Sequence, residues 1–367
     1  MKNKEIISVT QLYLFLYIGI VVTGILSLPH PMYIRAHQNM WLSLIIGSLV
    51  GYPLIWTAAY FNRIYPQKNL PDIIIDVFGH WIGTILLICY SVILCFQSLF
   101  VIKEYQIYLA LGFYQFTPPA VLIGLPMIAT LYACHKGIES IGRVTQIIFP
   151  ILLLFSITVL TLSLPDIDWK AILPVLEQGI APPLRASFIP IAWFSEFTWT
   201  FFCLNHLSKG QEKKILKIGN GFVALTTLTL LFFFIDDLGI LGPLNGVIIY
   251  PTHIVERYIQ IGFFIERVSS LFMSIWVLGM FVKIVFLIYI LLKNLSRVFR
   301  QCDYHLLNFP VHVLIFSLSL IFFNNIQSLF SIAFPLFLIV NPIGNIALPA
   351  IIVIGAWYRV RKHAAHS

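Results

Sequence analysis

Apolar runs of about twenty residues recur along the whole chain, near 10–30, 41–60, 81–102, 118–134, 144–164, 187–206, 218–235, 263–292, 309–325 and 334–357. A helix needs about 20 such residues to cross a hydrocarbon layer of roughly 30 Å. Inside lipid every backbone amide and carbonyl must be bonded within the protein, so spans of this length are helices. The pattern predicts an all-α integral membrane protein with ten transmembrane helices, forming one polytopic domain over residues 1–367. Composition agrees: 59% of the residues are hydrophobic and 10% charged, against about 25% charged in soluble domains. A water-soluble globule and a disordered chain are both excluded. The net charge of +8 sits in short clusters between apolar runs and never forms a basic face, so nucleic acid is not an expected partner.

Lys and Arg orient the spans. With the N-terminus inside, inner segments hold sixteen of the 23 basic residues, among them Lys2, Lys4, Arg63, Lys68, Lys136, Arg143, Lys209, Arg297 and Arg359. Outer segments hold Arg35, Lys103, Lys170, Arg185, Arg257 and Arg267, while Lys283 lies within a span. Both ends are therefore expected on the cytoplasmic side. Leu12 to Leu28 follows Lys2 and Lys4 as a signal peptide would, but no small-residue cleavage site follows, so it reads as an uncleaved first helix. Two longer connections, 165–186 and 236–262, fall outside. Between spans two and three, Ile73, Ile74, Val77 and Phe78 alternate with Asp72 and Asp76, which reads as a short amphipathic helix lying on the inner membrane surface.

Ten spans divide into two halves of five, about 8–164 and 187–358, and an odd number of spans per half would set the second half inverted to the first. The first helix of each half carries breakers: Gly24 with Pro29 and Pro31 in span one, Pro190 before Trp193-Phe194-Ser195-Glu196 in span six. A broken helix frees amides that can face an anion and carbonyls that can face a cation. Close helix packing at Gly24 and a simple kink at Pro190 are the competing readings. Glu196 is the sharpest single residue, because a carboxylate in mid-span must be paired, protonated or wet. It could bind a ligand ammonium, carry a proton or fix the break. Lys283 in span eight could snorkel to the inner interface, stand in for a bound cation, or pair with Glu196.

Other chemistry finds little support. Cys89, Cys95, Cys134, Cys203 and Cys302 are odd in number without a CxxC pair, and read as free thiols. His30, His37, His206 and His305 do not occur at metal-ligand spacing, and no Gly-rich phosphate loop occurs, so neither metal nor cofactor is expected. Nothing places a base beside a nucleophile, so an enzyme is not expected. Trp41, Trp81, Trp169 and Trp357 fall near span ends, as an interfacial belt would have them.

Gly24-Ile25-Leu26-Ser27-Leu28-Pro29 followed by Trp41, the Phe194-Ser195-Glu196 break, and Tyr250-Pro251-Thr252 through Phe264-Ile265-Glu266-Arg267 to Trp276 together resemble the spore germination B subunit family. These are permease-like subunits of germinant receptors within the amino acid-polyamine-organocation superfamily. The resemblance runs from Ile7 to about Arg361. It implies a LeuT-like fold of 5+5 inverted repeats with helices 1 and 6 broken, location in the spore inner membrane, and recognition of a small germinant such as an amino acid. It also implies assembly with a receptor A subunit and a lipoprotein C subunit. Members often carry Gly where this chain has Ser195, and Lys283 falls where an uncharged pocket residue is expected.

In a LeuT-like arrangement, helices one, three, six and eight surround a midplane pocket. Helix one would contribute Val22, Thr23, Gly24, Ile25 and Leu26, and helix three Cys95. Helix six would add Trp193, Phe194, Ser195 and Glu196, and helix eight Gly279 and Lys283. The amides of Gly24 to Leu26 are expected to hold a ligand carboxylate, and freed carbonyls with Glu196 the amine. Trp193, Phe194 and Cys95 would size the ligand side chain. Glu266 and Arg267 read as a structural or subunit-contact pair. The expected activity is ligand sensing signalled to partner subunits. The alternative is a proton-coupled amino acid transporter on the same fold, and a channel component ranks last.

Overall fold

Ser8 starts the first helix. Its hydroxyl accepts the Gln11 amide at 3.1 Å while Gln11 Oε1 accepts the Ser8 amide at 2.8 Å, a reciprocal cap that satisfies two otherwise orphaned donors. Helix α1 (Val9–Ser27) is buried at every residue except Thr10 and Gln11, and a helix apolar on all sides is the one a bundle encloses. The computed structural model describes residues 5–208, 210–258, 268–300 and 302–355. Lys2, Lys4, Lys209, Phe264, Ile265, Glu266, Arg267, Trp357 and Arg359 lie outside the described residues.

After α1 come α2 (Pro29–Ala36), α3 (Met40–Ser48), α4 (Gly51–Ile64), α5 (Leu70–Gly112), α6 (Pro119–Lys136) and α7 (Ile138–Ser163). A connection with two 3₁₀ turns leads to α8 (Ala181–Ala186), α9 (Phe188–Phe194) and a 3₁₀ segment over Ser195–His206. The chain continues through α10 (Glu212–Leu241), α11 (Pro251–Tyr258), α12 (Val268–Val298) and α13 (Tyr304–Ile321). It closes with α14 (Ile326–Ser328) and α15 (Phe334–Pro342), each followed by a π turn. Helices α1 and α12 form the centre with the second half of α5. Helices α6, α7 and α13 lie outside, with Leu125, Ile128, Leu154, Leu306 and Phe309 exposed, which only lipid can cover.

Among the described residues nine helical stretches are long and apolar enough to cross a membrane. Helix α9 with its 3₁₀ continuation reaches about 34 Å at 1.5 Å and 2.0 Å rise per residue, long enough for a further crossing. The protein is a multi-pass integral membrane protein. Its near face is defined here as the one where α1 starts, and the far face as the one where α1 ends.

Four differences from the sequence reading matter for the site. Helix α5 runs on to Gly112 and α10 to Leu241, so Lys103, Glu104, Asp236 and Asp237 are buried in the bundle instead of sitting in outer loops. Lys103 donates to Gln106 at 2.7 Å. Residues 70–78 are helical, but Gly79 at φ 77° turns the chain, a conformation glycine adopts without steric cost. The fold-back buries Ile73 and Ile74 completely and sets Val77 and Phe78 against Gly355. The apolar face is thus covered by protein, while Arg297 on α12 holds Asp72 at 3.1 Å. Finally, α1 continues through Gly24, whose carbonyl accepts the Leu28 amide at 3.1 Å. The interruption falls at Leu28, where Pro29 and Pro31 withhold their amides.

Candidate functional site

The second interrupted helix changes type where the sequence places its break. The Ser195 amide closes onto the Ile191 carbonyl, after which the segment follows the tighter 3₁₀ pattern. Ser-Glu-Phe-Thr-Trp-Thr-Phe-Phe is rich in side chains that lose rotamer freedom in an α-helix. Twelve residues of 3₁₀ helix is long for that form, and such stretches mark hinges. The change of register passes over the Ala192 carbonyl, which accepts the Ser195 hydroxyl at 2.7 Å and the Asn341 amide at 2.8 Å.

One turn further, Glu196 faces Lys283. The ammonium stands 3.0 Å from both carboxylate oxygens, and each side chain is 1% exposed. Lys283 also donates to the Thr23 hydroxyl at 2.9 Å, as does the Trp193 indole at 2.9 Å, while Thr23 donates to the Gly19 carbonyl at 3.1 Å. The one donor and two acceptor sites of that hydroxyl are all used. The Lys283 stem lies over Gly19, and its ammonium is 6.0 Å from the Trp199 ring centre. Lys283 therefore pairs inside the bundle and does not snorkel. An ion pair this deep is tolerated only with its remaining valences satisfied, and removing either partner strands a buried charge.

Around the pair lies a web of neutral polar groups. Asn341 Oδ1 accepts from Gln97 and Asn345; Asn345 in turn accepts from Tyr90 at 2.9 Å and from Thr198, and reaches Ser195 Oγ at 3.4 Å. On the far side of the pair, Trp193 packs on Phe337 at 5.0 Å and Phe334 at 5.9 Å. Trp276 packs on Tyr108 at 4.6 Å and donates to the Val22 carbonyl at 2.6 Å.

The structure thus brings together Thr23, Trp193, Ser195, Glu196 and Lys283, with Val22 and Gly279 beside them. Gly279 is a close-packing position, since a Cβ there would lie 2.3 Å from Val22 Cγ1. A Cβ at Gly24 would lie 3.1 Å from Leu230 of α10, the packing role rather than the pocket role. The amides of Gly24, Ile25 and Leu26 sit inside α1, so they do not face a ligand carboxylate. Phe194 turns to Phe197, ring centres 6.2 Å apart. Cys95 is half-buried and takes no part in the polar web. The face that α5 presents carries Tyr90, Gln97 and Glu104 at seven-residue spacing, and Cys95 stands about 200° round the helix from Gln97. Val22 and Ile25 line a cavity of about 20 Å³ with Tyr17, Phe155 and Phe272, below the size of any nutrient. A cavity of about 420 Å³ lies elsewhere, at the near face between Ile6–Thr10 and Gln211, Lys214 and Ile218.

Sequence reasoning missed Tyr90, Gln97, Glu104, Asn341 and Asn345. The asparagines had a signal, standing four residues apart in an apolar span punctuated by Pro342 and Gly344. Glu104, which accepts a hydrogen bond from Ser27, was hidden by ending span three at the charges that the helix in fact buries.

Two interrupted helices meeting at a buried polar centre inside a bundle of membrane-crossing helices define a permease-like membrane protein. The chain belongs to the spore germination protein family, whose sequence profile matches residues 6–328. It is similar to spore germination protein KB of Bacillus subtilis (strain 168), 22% identical over 356 residues, covering 92% of this chain and 95% of that one. Among solved structures it resembles MhsT in complex with L-phenylalanine, with a TM-score of 0.63 at 13% identity, covering 97% of this chain and 99% of that one. It also resembles Mhp1, a nucleobase-cation-symport-1 family transporter in a closed conformation, with a TM-score of 0.69 at 13% identity over 95% of this chain and 78% of that one. These likenesses establish the LeuT-like fold expected from the sequence.

Proposed function

We propose that the chain is the germinant-sensing, permease-like subunit of a spore germinant receptor, and that it binds a small nutrient of the amino acid class at the Thr23–Trp193–Glu196–Lys283 centre. The observation that carries this reading is the buried Glu196–Lys283 pair, which joins the interrupted sixth crossing to α12 and, through Thr23, to α1. A zwitterion carries the same two charges as the pair. Entering between its partners, it would take its carboxylate to Lys283 and its ammonium to Glu196, exchanging one internal ion pair for two. That exchange separates α12 from the 3₁₀ segment, so occupied and empty states differ in shape, as a sensor requires. The small cavity at α1 belongs to the closed state, in which no ligand fits.

In the same reading the protein lies in the spore inner membrane with the near face cytoplasmic, and 8–164 and 187–358 are inverted repeats. It works with a receptor A subunit and a lipoprotein C subunit and catalyses no reaction. The test uses purified full-length protein in liposomes with labelled amino acids, scored for equilibrium binding and for accumulation under a proton gradient. Saturable binding lost in Glu196→Gln, without accumulation, is the expected result. Gradient-driven accumulation would make the protein a proton-coupled transporter.

A further inference from the structure

Toward the far face a second set of buried charges takes no part in the centre. Asp236 and Asp237 occupy the last turns of α10 and Glu256 lies on α11, and all three are at most 1% exposed. Both carboxylate oxygens of Glu256 and Oδ1 of Asp237 are buried without a hydrogen-bond partner, and Asp236 has the Ser163 hydroxyl beside it. Glu256 lies within electrostatic reach of the other two. Among the described residues none of the three is in an ion pair. The buried lysines are committed elsewhere, Lys283 to Glu196 and Lys103 to Gln106. Carboxylates grouped in a low-dielectric interior must be protonated or matched by a positive charge.

A second observation gives such a charge a set of oxygen ligands. The Thr252 hydroxyl is 2.7 Å from the Ile25 carbonyl and 2.8 Å from Asp237 Oδ2. It has one proton for two acceptors, so with Asp237 ionised one of the two contacts sets oxygen against oxygen. The Ile25 carbonyl is available because its helical partner would be the amide of residue 29, which is Pro29. A carbonyl, a hydroxyl and a carboxylate thus converge, with Asp236 and Glu256 within electrostatic reach. The set is all oxygen, the chemistry that suits hard cations. The nearby imidazole of His253 is turned to the Tyr108 hydroxyl at 3.0 Å.

We propose that this pocket binds a hard metal cation, alkali or alkaline-earth, through Asp237, Thr252 and the freed Ile25 carbonyl, with Asp236 and Glu256 supplying further charge. Ile25 is two residues from Thr23 on the same helix. Cation occupancy would therefore fix the bend of α1 and hold Thr23 in place for the Glu196–Lys283 pair.

The test is the melting temperature of full-length protein in detergent at neutral pH, in choline chloride with Na⁺, K⁺, Mg²⁺ or Ca²⁺ substituted at constant ionic strength. At least one cation raises it saturably, Asp237→Asn and Glu256→Gln lose the response, and Arg143→Gln, at an exposed position on α7, keeps it. Radiolabelled sodium or calcium, whichever charge class gives the shift, binds wild-type protein, so a variant that fails to fold does not leave the question open. Insensitivity of the wild type to all four cations would overturn the proposal. So would an undiminished response in both carboxamide variants, or stabilisation by acid alone that abolishes the salt effect, since protons would then neutralise the pocket.

Discussion

Replacing Lys283 by Met keeps the length of the stem over Gly19 and deletes only the ammonium. Glu196 is then a carboxylate at 1% exposure whose two 3.0 Å contacts to a cation are gone, and Thr23 loses one of its two donors. Stranding one member of a buried pair costs about 3–5 kcal/mol. A chain of this size shifts its melting temperature by about 2 °C per kcal/mol, so Lys283→Met melts about 6–10 °C below wild type. Glu196→Gln alone strands the ammonium and falls by a similar amount. The double variant buries no charge and recovers most of the loss, because two neutral residues of like volume replace a buried ion pair at little cost. The assay is thermal unfolding of detergent-solubilised protein at one fixed scan rate, analysed as a double-mutant cycle. Losses that add to within about 0.5 kcal/mol would refute the coupling, as would a Lys283→Met variant that melts with wild type.

Gly279→Ala places a methyl 2.3 Å from Val22 Cγ1 and forces α1 and α12 apart, costing about 1–3 kcal/mol. Gly24→Ala meets only the flexible ends of Leu230 at 3.1 Å and Leu28 at 3.3 Å and costs less, an order that melting temperatures check directly. Cys95→Ala leaves amino acid affinity unchanged, whereas Gln97→Ala, which removes a donor to Asn341, weakens it in the same binding assay. His253 on α11 is held at a pKa of about 4 by burial and by the charge of Arg257. Between its ordinary value of about 6.5 and 4 the unfolded chain binds the proton and the folded chain does not, so its stabilising effect is full above that window and is lost as pH falls through it. His253→Gln therefore melts with a flatter acid limb than wild type, and parallel limbs would refute this.

How much of this was legible follows from what each residue does. A bundle of membrane-crossing helices could be read from run length, because lipid leaves the backbone one local solution. Glu196 and Lys283 stood out because charge in mid-span is rare, but their pairing depends on two crossings 87 positions apart in sequence and on no local pattern. Helix ends were the weak point. Spans three and seven were stopped at Lys103 and at Asp236 on the premise that charge marks water, and the bundle buries those groups instead. Gly24 illustrates the opposite error. A glycine permits a break but does not make one, and the prolines that remove amides lie farther along.

The interruptions share one physical consequence. Pro29 leaves the Ile25 carbonyl without its amide, and the change from α to 3₁₀ geometry at Ser195 leaves the Ala192 carbonyl without one. In lipid neither can turn to water, so each must be met by a side chain from another element. Thr252 of α11 meets the first and Asn341 of α15 the second. Each break in α1 and in the sixth crossing is therefore a cross-link to a helix outside its own crossing, and it cannot straighten or shift without releasing that partner. Asn341→Leu tests this at the less charged of the two. It strands the Ala192 carbonyl and two donors, from Gln97 and Asn345, at about 1–3 kcal/mol for each group left unpaired. Amide exchange should accelerate over Ser195–His206 while α13, none of whose described side chains hydrogen-bonds to the web, stays protected. Uniform acceleration across both would mean that Asn341 supports the bundle generally and is not the tie that holds the break.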